Sequence, residues 1–122
     1  MKDFGDYAVA STDTVRTAME KITRNKHRVV IVLDGRKVVG TVSDGDIRRA
    51  FLEDVLPIAP VEKIMNINCQ KTMETNIQVQ REIISQEKVT VLPIVNSKNE
   101  LINIVLAHEP FFKEGGGGSV SR

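Results

Sequence analysis

Gly40, Ser43 and Asp46 stand three residues apart in VGTVSDGDIRRAF, residues 39–51, with Asp44 between them and Arg48 and Arg49 just beyond. These residue types in this order suit a phosphorylated sugar. A carboxylate at the end of a strand can accept two hydrogen bonds from a pair of ribose hydroxyls, as an acidic residue does in dinucleotide folds. A hydroxyl at the start of a helix sits where free N–H groups and the helix dipole favour phosphate. A guanidinium in the first turn complements the same charge, and a glycine inside a strand permits close backbone approach. A second reading is purely local. Ser43, Asp44 and Asp46 are residue types that cap a helix and favour its N-terminus. On the residues alone both readings stand.

Other chemistries lack their constellations. A calcium loop built on Asp44-Gly45-Asp46 needs an oxygen ligand at position 48, where Arg48 stands. A nucleophile elbow needs glycines two residues either side of Ser43, and Gly40 is three away. His27 reads as a loop residue. His108, beside Glu109, reads as the opening of a last helix, with a phosphate contact as its alternative. Cys69, His27 and His108 share no metal-ligand spacing, so neither a catalytic nor a metal residue is assigned. The glycines of the tail KEGGGGSVSR have no lysine after them, so the tail is not a phosphate-binding P-loop. Met19, Met65 and Met73 suit core filling.

Composition narrows the classes further. With 17 basic against 16 acidic residues the net charge is +1, well short of the basic excess of a nucleic-acid binder. No apolar run is long enough to cross a membrane, and MKDFGDYAV lacks a signal-peptide core. A single cysteine excludes an internal disulfide and suits a reducing compartment, so a cytoplasmic location is expected. Aromatic residues are only 4%, which leaves aliphatic side chains to hold any ligand ring.

The elements that must position the cluster come twice. Val15 answers to Ile77 and Val30 to Leu92, both 62 residues apart, and Ile47 answers to Pro110 at 63, one residue being inserted in the second turn. In the first copy Thr12 or Asp13 can cap a helix whose apolar face is Val15, Ala18, Met19 and Ile22. Val29–Leu33 reads as a buried strand and Asp34-Gly35 as a hairpin turn. Val38–Val42 reads as the partner strand, followed by a helix capped by Ser43 or Asp44. The second copy has a less regular helix, with Gln80 and Arg81 where the first has Ala18 and Met19. Val89–Val95 is its strand and Asn96–Asn99 its turn. A linker containing Pro57 and Pro60 joins the copies, and Val61–Met65 reads as one helical turn. Neither copy can bury both faces of a small sheet alone, so the two are expected to pack together and leave clefts between them.

The repeat, the LPIV of residues 92–95 and the VVGTVSDGDI of residues 38–47 resemble a tandem pair of cystathionine-β-synthase-type (CBS) domains, a Bateman module, over roughly residues 7–113. The resemblance implies an α+β fold of two pseudo-symmetric βαββα repeats packed sheet to sheet, residues 1–60 and 61–113. Residues 114–122 then form a flexible tail, native or artificial. It implies a regulatory module that binds an adenosine nucleotide (AMP, ADP or ATP) in the inter-repeat cleft, with no catalytic residues of its own. Gly40, Ser43, Asp46, Arg48 and Val30 are the expected nucleotide-binding residues, with Asp46 on the ribose, Ser43 and Arg48 on phosphate, and adenine near Val9, Val30 or Val32. Asn103, Leu106 and Glu109 stand where the second repeat would carry its motif, so that second site is expected to be degenerate.

The same resemblance implies a homodimer and a covalently attached catalytic domain. SDGDIRRAF followed by VEKIMN resembles the CBS pair that precedes the catalytic domain of certain sugar-phosphate nucleotidyltransferases. The alternatives are a ligand-free dimerisation module, or the CBS pair of an arabinose 5-phosphate isomerase.

Overall fold

The computed structural model describes residues 4–107. A 3-10 turn, Gly5–Tyr7, leads into β1 (Ala8–Ala10), α1 (Val15–Asn25), β2 (Val29–Asp34), β3 (Lys37–Ser43) and α2 (Asp44–Leu52). A linker with a second 3-10 turn, Val61–Lys63, leads on to α3 (Ile77–Glu87), β4 (Val91–Val95) and β5 (Leu101–Leu106). No helix among these residues is long and apolar enough to cross a membrane.

The first helix forms where its apolar spacing puts Val15, Ala18 and Ile22 on one buried face. Its cap is Thr14, whose side chain accepts the Thr17 N–H at 3.1 Å, and neither Thr12 nor Asp13. Asp13 is occupied one step earlier, accepting the Ala10 N–H at 2.8 Å and closing the turn before the helix.

The chain folds as an α+β protein with two small sheets. β2 lies between β1, to which it is parallel, and β3, to which it is antiparallel, and β4 pairs antiparallel with β5. The two-residue side-chain alternation of a strand then sorts β2 between two cores. Val30 and Val32 point to the helix side, packing with Val9, Val15, Ala18, Ile22 and Ile47. Ile31 points the other way and, with Val38, meets Val91, Val95 and Leu101 of the second sheet. Leu92 and Ile94 return to the helix side, against Ile84 of α3. Each such side chain, fully buried, contributes about 1.5–3 kcal/mol. Val61, beyond the linker prolines, still packs in the first core, and its N–H donates to the Asp13 carbonyl at 2.8 Å.

The duplication read in the sequence is present in the backbone. α1 and α3 start and end 62 residues apart, and both finish on a left-handed lysine, Lys26 at φ 63° and Lys88 at φ 57°. The pairing irregularity at Val32/Leu33 recurs at Ile94/Val95. In place of β1 the second half has a single parallel bridge from Thr72 to Ile94. The two hairpin turns interlock reciprocally: the Val38 N–H donates to the Asn99 carbonyl at 3.0 Å, and the Leu101 N–H to the Arg36 carbonyl at 2.9 Å. The expected last helix, with His108, Glu109 and the glycine tail, lies outside the described residues.

Candidate functional site

The serine–aspartate cluster is, first, a helix cap. Ser43 ends β3 in extended backbone and caps α2. Asp46 Oδ2 accepts the Ser43 N–H at 2.9 Å and the Ser43 hydroxyl at 3.0 Å, while the Asp46 N–H donates back to Ser43 Oγ at 3.2 Å. This is a reciprocal capping box, which satisfies N–H groups that a helix start otherwise leaves unpaired. The Arg49 guanidinium holds the other carboxylate oxygen, Oδ1. Asp46 is therefore engaged at both oxygens, and its side chain is only 14% exposed.

Beside this cap a cavity of about 420 Å³ opens between the halves. The volume lies within the usual range of small-molecule sites, about 300–1,000 Å³. The start of β2 contributes His27, Arg28 and Val29, and β3 contributes Thr41 and Ser43. The linker adds Asn66, Asn68, Cys69 and Gln70, and the junction of α3 with β4 adds Glu87 to Val91. Val29, Val89 and Val91 form an aliphatic wall, with hydroxyls and amides around it. The Thr90 hydroxyl donates to the His27 carbonyl at 2.7 Å and joins the two halves at the cavity wall. The His27 ring is buried, with Nδ1 3.0 Å from both the Tyr7 hydroxyl and the Asn25 carbonyl.

Of the five expected binding residues, the structure brings only Ser43 to the cavity wall. Val30 is fully buried against the helices, because the pleat turns it away; its neighbour Val29 is the residue that faces the cavity. Val9 and Val32 lie in the same helix-side core. Gly40 makes a close approach, but to the protein itself. A Cβ there would lie 2.8 Å from the Asn66 carbonyl oxygen, where the linker bridges to Thr41. Arg48 is exposed on α2, outside the lining, and Asp46 stands behind Ser43.

Several lining residues escaped the motif. His27 reads as a loop residue in the sequence, yet it sits at the cavity, and so do Arg28, Lys88 and Thr90. The available signal was the 62-residue offset, which equates Arg28 with Thr90 and Lys26 with Lys88. Cys69 also lines the cavity. Burial pushes its thiol above the ordinary value, with Lys71 pulling part of the way back.

The equivalent position in the second half is apolar. Leu106 answers to Ser43 at an offset of 63, and Phe4–Tyr7 answers to Asn66–Cys69 at 62. Phe4, Tyr7 and Leu106 pack against the core between the sheets. Asn103 lies on β5 opposite Ile94, and Glu109 is beyond the described residues.

Residues 5–53 match the family model of the CBS domain. Over 109 residues the chain is 27% identical to arabinose 5-phosphate isomerase GutQ of Escherichia coli O6:H1, covering 88% of this chain and 34% of that protein. The chain spans about a third of the length of the curated relatives it matches. Among solved structures it is similar to the CBS domains of a transcriptional regulator from Streptococcus pneumoniae, with a TM-score of 0.70 and 23% identity over 86% of this chain and 87% of that one. It is also similar to the CBS domain protein PAE2072 from Pyrobaculum aerophilum, complexed with AMP, with a TM-score of 0.65 and 20% identity over 81% of this chain and 78% of that one. These likenesses cover both halves, so the fold extends beyond residue 53.

Proposed function

We propose that this chain is a regulatory module that binds an adenosine nucleotide in the cavity between its halves and so biases an attached catalytic domain. The observation that carries the reading is the cavity itself, built from both halves, with an aliphatic wall beside Ser43 and Thr41. The AMP carried by the Pyrobaculum aerophilum protein supports the ligand class. The local chemistry modifies the expected roles. The Ser43 hydroxyl donates its proton to Asp46, so its oxygen is left as an acceptor. An acceptor suits a ribose hydroxyl and does not suit a phosphate oxygen. Asp46 acts through Ser43, with one acceptor site of Oδ1 left beside Arg49. A ligand that prefers one relative arrangement of the halves shifts the population toward it, and a coupling of about 1–3 kcal/mol is enough for control.

The test is thermal unfolding with AMP, ADP, ATP and S-adenosylmethionine. Binding to the folded state raises the melting temperature by mass action, and Ser43→Ala diminishes the rise. No rise with any of the four refutes the reading.

Two partner domains fit such a module. The SDGDIRRAF and VEKIMN segments favour a sugar-phosphate nucleotidyltransferase, and the 27% identity to GutQ favours an arabinose 5-phosphate isomerase. Assay of the full-length protein for both activities, with and without AMP, separates them. A homodimer is supported by the exposed Phe51, Leu52, Leu56 and Ile58 at and beyond the end of α2. Sedimentation equilibrium of wild type against a Leu52→Glu, Ile58→Glu variant tests it: the variant is monomeric if this face is the interface.

A further inference from the structure

We infer that the cavity counts phosphates, through a two-sided clamp formed by Arg28 of the first half and Lys88 of the second; this rests on the nucleotide reading above. Both residues line the cavity, one from each half of the chain. Their backbones hold the left-handed region, Arg28 at φ 70° and Lys88 at φ 57°, at the entry to β2 and at the end of α3. Their immediate neighbours are tied by hydrogen bonds. The Thr90 hydroxyl ties the second strand start to the His27 carbonyl at 2.7 Å, and the Asp44 N–H pins the Arg28 carbonyl at 3.1 Å.

Neither cation is committed elsewhere. The ion pairs among the described residues are Arg16 with Glu20, Arg24 with Asp6, and Arg49 with Asp46. Glu87 is the one carboxylate in the lining and opposes the two cations. Ser43 is committed as an acceptor, so phosphate oxygens need their donors from another part of the wall. Arg28 and Lys88 supply them. A guanidinium offers a planar fork and an ammonium a compact point charge, and both bind phosphate. A polyphosphate presents more charge over a longer reach than a monophosphate, and so can engage two cations where a monophosphate engages one. The expected order of affinity is therefore ATP, then ADP, then AMP.

The test is calorimetric titration of the chain with AMP, ADP and ATP, in EDTA so that magnesium does not mask the phosphate charge. Wild type is expected to bind ATP about tenfold more tightly than AMP, the scale of one charge-assisted hydrogen bond. Lys88→Met and Arg28→Met each weaken ATP binding more than AMP binding, so that most of that preference is lost. Lys88→Arg retains the preference, and Glu87→Gln increases it. Equal affinities for AMP and ATP in the wild type overturn the clamp, and so does an equal loss for both in Lys88→Met. Absence of binding by all three nucleotides overturns the nucleotide reading itself, and the clamp with it.

Discussion

The hydroxyl of Thr90 donates to the carbonyl oxygen of His27 at 2.7 Å, across 63 positions of sequence and between the two halves of the molecule. It is a side chain of one half satisfying the backbone of the other, at the wall of the cavity. Thr90→Val keeps the shape and removes the donor, leaving a partly buried carbonyl without it. A loss of about 1–2 kcal/mol is expected, read as a lower urea midpoint with unchanged slope. A stability equal to wild type would mean that the bond does not hold the halves together.

Gly40 is required by the linker. Its absent Cβ leaves room for the Asn66 carbonyl, which would otherwise be met at 2.8 Å, and for the Met65 side chain. Gly40→Ala is expected to cost about 1–3 kcal/mol through overpacking. Because Asn66 and Asn68 also line the cavity, the same substitution is expected to weaken nucleotide binding. Calorimetric unfolding and titration of one preparation check both effects.

Ser43 and Asp46 form one cap and are expected to behave as a unit. Ser43→Ala and Asp46→Ala each cost about 1 kcal/mol, the scale of a lost N-cap. The double variant costs much less than the sum, because either change alone breaks the reciprocal bonds. Additive losses in a double-mutant cycle would contradict the capping box.

Cys69 reports on the cavity. Its thiol is raised by burial, so alkylation by iodoacetamide is slow at neutral pH and accelerates only above the ordinary thiol range of about 8.5. The same shift has a consequence for stability. The folded state keeps its thiol proton longer than the unfolded chain, so the contribution is intact below the unfolded-state value and is lost as pH rises through the folded-state value. Saturating nucleotide is expected to slow the labelling further, and labelling rates measured from pH 7 to 10, with and without AMP, check both.

Much of the fold was legible because it rests on patterns that do not depend on distant contacts. The helical spacing of Val15, Ala18 and Ile22, the β-branched run Val29–Leu33 and the Asp34-Gly35 turn all became the elements they read as. The duplication was legible too, and α1 and α3 match it residue for residue. The site was harder to read. A strand of period two tells that Val29 and Val30 face opposite sides, but not which side holds the cavity when both faces are buried. The spacing of Gly40, Ser43 and Asp46 was consistent with a ligand and with a cap, and local bonds satisfy most of it. His27, Arg28, Lys88 and Thr90 come together only through the pairing of the halves, which no short motif records.

The interlocked turns have a mechanical meaning. Arg36, Val38, Asn99 and Leu101 bind the halves through two backbone bonds and one from the Asn99 side-chain amide to the Val38 carbonyl, at the end of the strands away from Ser43 and Thr90. The molecule is thus bound like a book along one edge, with a side-chain clasp from Thr90 to the His27 carbonyl at the other. A ligand entering between the pages works at the far end of a lever. A rotation of the halves about that edge would be largest where α2 begins and α3 ends, and smallest at the turns.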